Sequence, residues 1–157
     1  MSGISEARAA ARGALTSGKP VWVSWTLHED LSGRLRSGET IPDAVLALAD
    51  LPISAFLVNC SAPESVSNAM ELLAQNTDRR IGGYANTFHP IPEDWRLDGP
   101  NPTDGLLPLR NDLDPDAYAD YAAQWLNKGA RIIGGCCGTR PAHIRKLSQM
   151  INLIEYC

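Results

Sequence analysis

The sequence predicts an α/β fold in which parallel strands alternate with helices. Two observations favour this class: short β-branched or apolar runs alternate with segments of helical spacing, and the clearest strand is apolar on both faces. That strand, Ile53–Asn59, has the nearly continuous apolar character of a strand covered on both sides of a parallel sheet. The chain has 157 residues, 44% of them hydrophobic, so we expect one domain with a substantial core.

The first part of the chain predicts a helix, a strand and a second helix. Residues 4–16 are rich in Ala, Arg and Leu, which favours a helix, and Gly18 is typical of a helix end. Residues 21–26 are β-branched and aromatic, which favours a strand. Thr40 and Pro42 follow a polar loop and are typical of a helix start.

The rest of the chain repeats the strand–helix unit. Proline is typical of the first turn of a helix and glycine of its end, and these residues bound the later segments. Residues 88–112 hold five prolines and predict a long loop, which is usually functional at this length. The expected elements are a helix from Pro63 to the turn at 76–78, a weak strand at 81–87, a helix from Pro115 to Gly129, a strand at 131–135 and a helix from Pro141.

Four strand–helix units amount to half of a (β/α)8, or TIM, barrel, which repeats this unit eight times. A complete barrel takes about 250 residues, so this chain is not expected to close one alone. A half barrel exposes two unpaired strand edges and an apolar interior, and association would cover both. The sequence therefore predicts either a homodimer or a complementary half as partner.

Composition and charge argue against several classes of partner. The formal net charge is -4 and the Lys and Arg residues are scattered, so we expect no nucleic acid. No apolar run approaches the ~20 residues that span a bilayer, and Glu6 and Arg8 interrupt the region where a signal peptide is apolar. A cytoplasmic location without membrane contact is therefore expected. Four cysteines, two of them adjacent, do not suggest a disulfide framework.

Three of the cysteines fall where predicted strands end. Cys60 follows the strand at 53–59, and Cys136 and Cys137 follow the strand at 131–135. Because parallel strands end at one edge of the sheet, we expect the three thiols to converge. Three thiolates suit Zn²⁺ and leave a fourth position for a substrate thiol, which the metal would deprotonate.

The residue pattern alone leaves other interpretations open. Free cysteine is among the most buried residue types, so all three thiols fit a structural role equally well. A vicinal disulfide between Cys136 and Cys137 is a second alternative, and redox chemistry at this pair is a third. His89 is a candidate for a fourth metal ligand when substrate is absent. Cys157 is expected to be an exposed or frayed thiol.

The cysteines lie in two sequence motifs, Val58-Asn59-Cys60-Ser61-Ala62-Pro63-Glu64 and Gly134-Gly135-Cys136-Cys137-Gly138-Thr139-Arg140-Pro141-Ala142-His143-Ile144. Both motifs, in this order, resemble those of the zinc-dependent homocysteine S-methyltransferases. Residues 19–26 and 35–39 are also similar to the fifth strand of that family and its following loop, so the similarity runs from about residue 6 to residue 147.

The resemblance implies that residues 1–157 are the C-terminal half of the homocysteine-binding barrel. It implies an enzyme with Cys60, Cys136 and Cys137 as the ligands of a zinc cofactor. The homocysteine sulfur would take the methyl group of a small donor, such as S-methylmethionine or a betaine-like compound, and give methionine. The alternative is a truncated, non-catalytic zinc-binding homologue that needs a missing N-terminal half.

The resemblance also bears on substrate binding. Ser24, Asn59 and Asn86 are expected near the metal-binding face as substrate-binding residues. The family's Gly-rich acidic segment near strand one and its glutamate after strand four have no counterpart, because the chain is expected to begin in the next helix. The family's Tyr-Pro-Asn-Ser-Gly-Glu occurs as Tyr84-Ala85-Asn86-Thr87-Phe88-His89, which keeps only the Tyr and the Asn.

Overall fold

A computed structural model of the protein describes residues 1–90 and 107–155. These ranges contain five helices and four strands in strict alternation after the first helix. The elements are α1 (Ile4–Leu15), β1 (Val21–Trp25), α2 (Ile41–Ala47), β2 (Ile53–Asn59), α3 (Pro63–Asn76), β3 (Arg80–Tyr84), α4 (Pro115–Asn127), β4 (Ala130–Ile133) and α5 (Pro141–Glu155).

The four strands form one parallel sheet in the order β1-β2-β3-β4. Consecutive strands are neighbours, and a helix connects each pair, as in a repeated β/α unit. Within the described ranges, β1 and β4 pair with no further strand, so the sheet has two open edges. The predicted α/β partial barrel of four parallel strand–helix units is therefore confirmed.

The main core lies between the sheet and its helices. Trp25 of β1 stacks on Phe56 of β2, with ring centroids 5.4 Å apart, and both side chains are buried. In β3 a Cβ atom on Gly83 would lie 2.7 Å from Val66 of α3, so the missing side chain lets the helix approach the strand. The glycines that weaken β3 as a predicted strand therefore serve its packing.

The other face of the sheet is concave and has an open cavity of about 310 Å³. Trp22 lies on this face with 54% of its surface exposed, because no described element covers this face. The residues that line the cavity carry no charge: Trp22, Ser24, Leu57, Tyr84, Ile132, Ile133 and Gly134.

Two predicted boundaries need correction. The strand expected at 81–87 ends at Tyr84, because the next three residues leave the sheet, and the last strand is Ala130–Ile133 rather than 131–135. The ends of the predicted 88–112 loop lie side by side, joined by an antiparallel bridge between Phe88 and Leu109. Most of that loop, with Trp95, lies outside the described residues, and so does Cys157. No helix in the described ranges has both the length and the apolar character needed to cross a membrane.

Candidate metal centre

The three predicted thiols converge at the carboxyl edge of the sheet. Cys60 directly follows β2, while Cys136 and Cys137 lie in the turn between β4 and α5. The Sγ atom of Cys137 lies 3.7 Å from that of Cys60 and 3.9 Å from that of Cys136. All three Sγ atoms lie within 4.8 Å of one another, so this cluster could hold one metal ion. His89 is not part of the cluster.

The exposure of the thiols weakens the structural alternatives. Cys60 and Cys136 are half-buried and Cys137 is exposed, whereas purely structural cysteines are usually buried. All three are free, and the 3.9 Å between Cys136 and Cys137 is far from the bond length of a vicinal disulfide. The accessible, unbonded trio is the arrangement expected of metal ligands or reactive thiols.

Cys60 adopts an unusual backbone conformation. Its φ angle is +50°, in the left-handed region that costs a non-glycine residue roughly 1–2 kcal/mol. Neighbouring contacts hold this turn: the Cys60 N–H donates to the Tyr84 carbonyl at 3.0 Å, and the buried hydroxyl of Ser61 accepts from the Leu27 N–H at 2.9 Å. The fold thus maintains a locally strained turn at a candidate ligand, as is common at functional sites.

Residues 84–87, which we call the spacer segment, lie between the two ligand loops. The backbone of this segment forms hydrogen bonds with both loops, and these bonds fix the distance between the loops. The four bonds are Cys60 N–H to Tyr84 O at 3.0 Å, Asn86 N–H to Ser61 O at 3.1 Å, Cys136 N–H to Ala85 O at 3.0 Å and Thr87 N–H to Cys137 O at 3.0 Å.

The turn that carries Cys136 and Cys137 depends on its flanking glycines. Gly138 has a φ angle of +79°, and a Cβ atom there would lie 2.2 Å from the Thr87 hydroxyl. A Cβ atom on Gly135 would lie 2.4 Å from the hydroxyl of Thr139, which donates to the Cys136 carbonyl at 2.6 Å. The two cysteines can therefore approach the spacer segment only because neither neighbour has a side chain.

Burial and the neighbouring thiols oppose the ionisation of Cys60. Burial, followed by hydrogen bonding and charge repulsion from Cys136 and then Cys137, raises the pKa of the Cys60 thiol to about 12. Cys60 is therefore protonated at neutral pH in the metal-free protein. A cation placed among the three sulfurs would reverse this preference, because it favours thiolates.

The three predicted substrate-binding residues lie around the same edge. Ser24 donates from its hydroxyl to the side-chain carbonyl of Asn59 at 2.7 Å, which leaves the Asn59 amide group as the donor of this pair. Asn86 is 4% exposed, and its side-chain oxygen accepts from the Phe88 N–H at 3.0 Å, which is a turn-forming role. Substrate binding by these residues stays a prediction.

Sequence reasoning missed a half-buried ionic network beside the site. The Arg110 guanidinium donates to both oxygens of Glu64, at 2.8 and 2.9 Å, and Tyr121 donates to the same carboxylate at 2.8 Å. Burial alone would raise the pKa of Glu64, but the bonds from Arg110 and the other donors lower it overall. Glu64 is the last residue of the motif at residues 58–64, so the family resemblance points to it. Arg110 lies near the end of the predicted 88–112 loop, and no sequence pattern there marks it as a partner of Glu64.

Two further buried side chains support the ligand loops. The Tyr118 hydroxyl lies 3.0 Å from the carbonyls of both Ala85 and Gly134, and burial raises its pKa. His143 accepts the Arg140 N–H at Nδ1, 3.1 Å away, so Nε2 must carry the proton that it donates to Leu113 O. These contacts fix the start of α5 and the strand end that precedes the cysteines.

Comparisons with known proteins show which family the chain resembles. The sequence matches the family model of homocysteine S-methyltransferase over residues 1–151. Homocysteine S-methyltransferase of Escherichia coli (strain K12) is 32% identical over 130 residues, which are 80% of this chain and 37% of that protein. Homocysteine S-methyltransferase 4 of Zea mays is 27% identical over 142 residues, which are 87% and 37% of the two chains.

A solved structure agrees with the sequence matches. The crystal structure of the homocysteine methyltransferase MmuM from Escherichia coli, in its metallated form, has a TM-score of 0.70 and 30% identity to this chain. It covers 96% of this chain and 42% of its own, so the chain spans less than half the length of these relatives. Since the family model matches nearly the whole sequence, the chain belongs to the homocysteine S-methyltransferase family.

Proposed function

We propose that the chain is the C-terminal, zinc-binding half of an enzyme that methylates the thiol of homocysteine to give methionine. The observation that carries the proposal is the spacing of the three sulfurs. Ligands about 2.3 Å from a tetrahedral zinc ion lie about 3.8 Å from one another. The distances of 3.7 and 3.9 Å from the Cys137 sulfur to the other two sulfurs match that ligand–ligand separation.

The donor set also fits catalysis better than structure. Cys60, Cys136 and Cys137 would occupy three positions of a tetrahedral site and leave the fourth to a ligand from solution. Bound zinc supplies a Lewis acid that lowers the pKa of a homocysteine thiol, so that the thiol ionises at neutral pH. Three thiolate ligands more than balance the charge of the ion, so a sulfur held there keeps its nucleophilic character.

The proposed reaction moves one methyl group between small molecules. A bond forms between the homocysteine sulfur and the methyl carbon of S-methylmethionine or a betaine-like compound, and the bond from that carbon to the donor breaks. The homocysteine proton leaves to solvent before the transfer, and methionine and the demethylated donor are the products. Ser24 and Asn59 would orient a substrate from the concave face, where their hydrogen-bonded pair lies.

The concave face supports a partner that completes the barrel. Its uncharged lining and the exposed indole of Trp22 suit burial against a second layer of strands. We propose a complementary half of four strand–helix units as that partner, because by family resemblance it carries the acidic residues that hold the amino acid part of homocysteine. A second copy of this chain fits the same edges but lacks those residues. The free thiols favour a reducing compartment, the cytoplasm.

A second candidate function is zinc binding without turnover. The position of the ligands favours it, since all three candidate ligands lie within the described residues and zinc binding alone needs no others. The two candidates make different predictions for methionine formation and the same prediction for zinc.

The test combines metal content with turnover. Purified protein should bind one zinc ion per chain, and Cys137→Ser should lower the affinity steeply, while Cys157→Ser, which removes the cysteine outside the trio, should not. Methionine formation from homocysteine and S-methylmethionine, or betaine, is then measured with and without a separately expressed first half of the Escherichia coli relative. Turnover only with that half supports the proposed enzyme. Zinc binding without turnover in either case leaves the second candidate, and no zinc binding overturns both.

A further inference from the structure

The network centred on Arg110 is larger than one ion pair. Its guanidinium donates from Nη1 and Nη2 to Glu64, at 2.9 and 2.8 Å, and from Nε and Nη2 to Asp112, at 3.1 and 2.7 Å. The Arg110 side chain is only 13% exposed, and Tyr121 donates to Glu64 from α4. The four charge-assisted bonds are paired, so together they fix the orientation of the guanidinium.

The network connects the two ligand loops. Glu64 lies in the first turn of α3, four residues after Cys60. The Arg110 backbone N–H donates to the Thr87 carbonyl at 2.9 Å, and the Thr87 N–H donates to the Cys137 carbonyl at 3.0 Å. An unbroken series of bonds thus runs from the helix that starts beside Cys60 to the backbone of Cys137.

We propose that Arg110 and Glu64 are positioning residues that hold the Cys60 and Cys137 thiols at metal-binding distance. The expected effect of these residues on zinc binding rests on the proposed zinc site. The backbone of Cys60 is strained, with a φ angle of +50°, so its turn needs support from outside the ligand set. A rigid contact between the two ligand loops supplies such support, as the partners of metal ligands commonly do.

The chain contains a matched control for this contact. Arg8 of α1 donates to both oxygens of Asp50 at 2.6 and 2.7 Å, so it forms a second paired arginine–carboxylate contact. That pair joins α1 to the segment after α2, and neither residue bonds to a ligand loop or to the spacer segment. Arg8→Met therefore removes a paired arginine–carboxylate contact far from the ligand loops, as Arg110→Met removes the Glu64 and Asp112 contacts beside them.

The first readout is zinc affinity, measured by competition with a chromophoric chelator. Arg110→Met and Glu64→Gln should weaken zinc binding by about 10- to 100-fold, whereas Arg8→Met should match the wild type. Arg110→Lys keeps the charge without the paired geometry and should recover only part of the loss. Circular dichroism at the assay temperature checks folding, and Tyr121→Phe, which removes one bond only, replaces any variant that does not fold.

The second readout needs no metal. In a background of Cys136→Ser and Cys157→Ser, the protein is equilibrated with reduced and oxidised glutathione. Each Cys60–Cys137 disulfide that forms releases two protons and two electrons, which reduce one glutathione disulfide to two glutathione thiols. The equilibrium gives the effective concentration of the two protein thiols. Arg110→Met and Glu64→Gln should lower it about tenfold or more, and Arg8→Met should not.

The outcomes separate this inference from the proposed function. A loss in either readout that exceeds that of Arg8→Met supports the positioning role. Folded Arg110 and Glu64 variants that match the wild type in both readouts overturn it, even if zinc binds normally. A wild type that binds no zinc overturns the proposed function, and the glutathione equilibrium then decides the inference alone.

Discussion

The Sγ atoms of Cys60 and Cys137 lie 3.7 Å apart, although 77 residues separate them along the chain. Each backbone is tied to the same spacer segment, Cys60 to Tyr84 and Cys137 to Thr87. Their proximity is thus a property of the fold, and the consequences can be measured on the protein with and without metal.

Oxidation of the metal-free protein should join Cys60 to Cys137. The sulfurs need to approach from 3.7 Å to about 2.05 Å, and the segments that carry them are not adjacent in sequence, so no strained eight-membered ring results. Chelator-treated protein exposed to glutathione disulfide should give this bond as the main product in peptide mapping by mass spectrometry. Bound zinc should slow the reaction. A dominant Cys136–Cys137 bond would contradict the observed geometry.

The backbone of Cys60 should reveal stored strain. Cys60→Gly and Cys60→Ala both remove the thiol, but only glycine adopts a φ angle of +50° without steric cost. In the presence of chelator, the glycine variant should be more stable than the alanine variant by about 1 kcal/mol in urea unfolding. Neither variant should bind zinc as the wild type does. An alanine variant of equal stability would show that the turn carries no strain.

Gly138→Ala should damage both stability and metal binding. The new Cβ would stand 2.2 Å from the Thr87 hydroxyl and 2.6 Å from Leu109, on a backbone with a φ angle of +79°. We expect a loss of about 2 kcal/mol or more in free energy of unfolding, together with weaker zinc binding. Gly13→Ala in α1 is the control, because no atom lies within 4 Å of its new Cβ. It should stabilise the protein by about 0.5–1 kcal/mol.

The Glu64 contact should make the free energy of unfolding depend on pH in the acid range. Its pKa lies below the ordinary value of 4.5, because the bonds from Arg110 and the other donors outweigh the effect of burial. The unfolded chain therefore binds this proton first, and the stabilisation is complete above about pH 4.5 and declines as the pH falls through the folded pKa. In urea unfolding across this range, the free energy of unfolding should fall less steeply with decreasing pH for Glu64→Gln than for the wild type. An unchanged slope would mean that the pair contributes nothing.

Glu29 should have the opposite effect. Burial raises its pKa above 4.5, and the Ala62 N–H and Arg36 only partly offset this. The folded protein then holds the proton more tightly, so the free energy of unfolding falls as the pH rises from about 4.5 through the folded pKa. Glu29→Gln should be more stable than the wild type near neutral pH and equal to it in acid. Equal stability at both pH values would contradict the raised pKa.

Local patterns sufficed to predict the sheet and the thiol cluster. The strand at Ile53–Asn59 was predicted with its observed bounds, and the rule that parallel strands end at one edge placed Cys60 near Cys137. Both inferences need only the order of elements. They are independent of how side chains pack, which is why they succeed on a single sequence.

The errors and omissions all concern contacts between distant segments. Arg110 meets Glu64 across 46 residues and a long loop, and no periodicity encodes such a pair. The strand at Arg80–Tyr84 ends early because the spacer segment bonds to the ligand loops instead of to neighbouring strands. Trp22 has the residue type of a buried strand position, but its exposure depends on what covers the concave face.

The bonds of the spacer segment have a consequence for protein engineering. Every backbone contact that sets the distance between the ligand loops lies between β2 and the start of α5, and none involves β1 or α1. The thiol trio and these backbone contacts thus form a cassette within the sheet, supported from outside by the Leu27 N–H that donates to the Ser61 hydroxyl. Grafting that cassette as one piece onto another parallel barrel should transfer the ligand geometry, whereas moving the three cysteines alone should not.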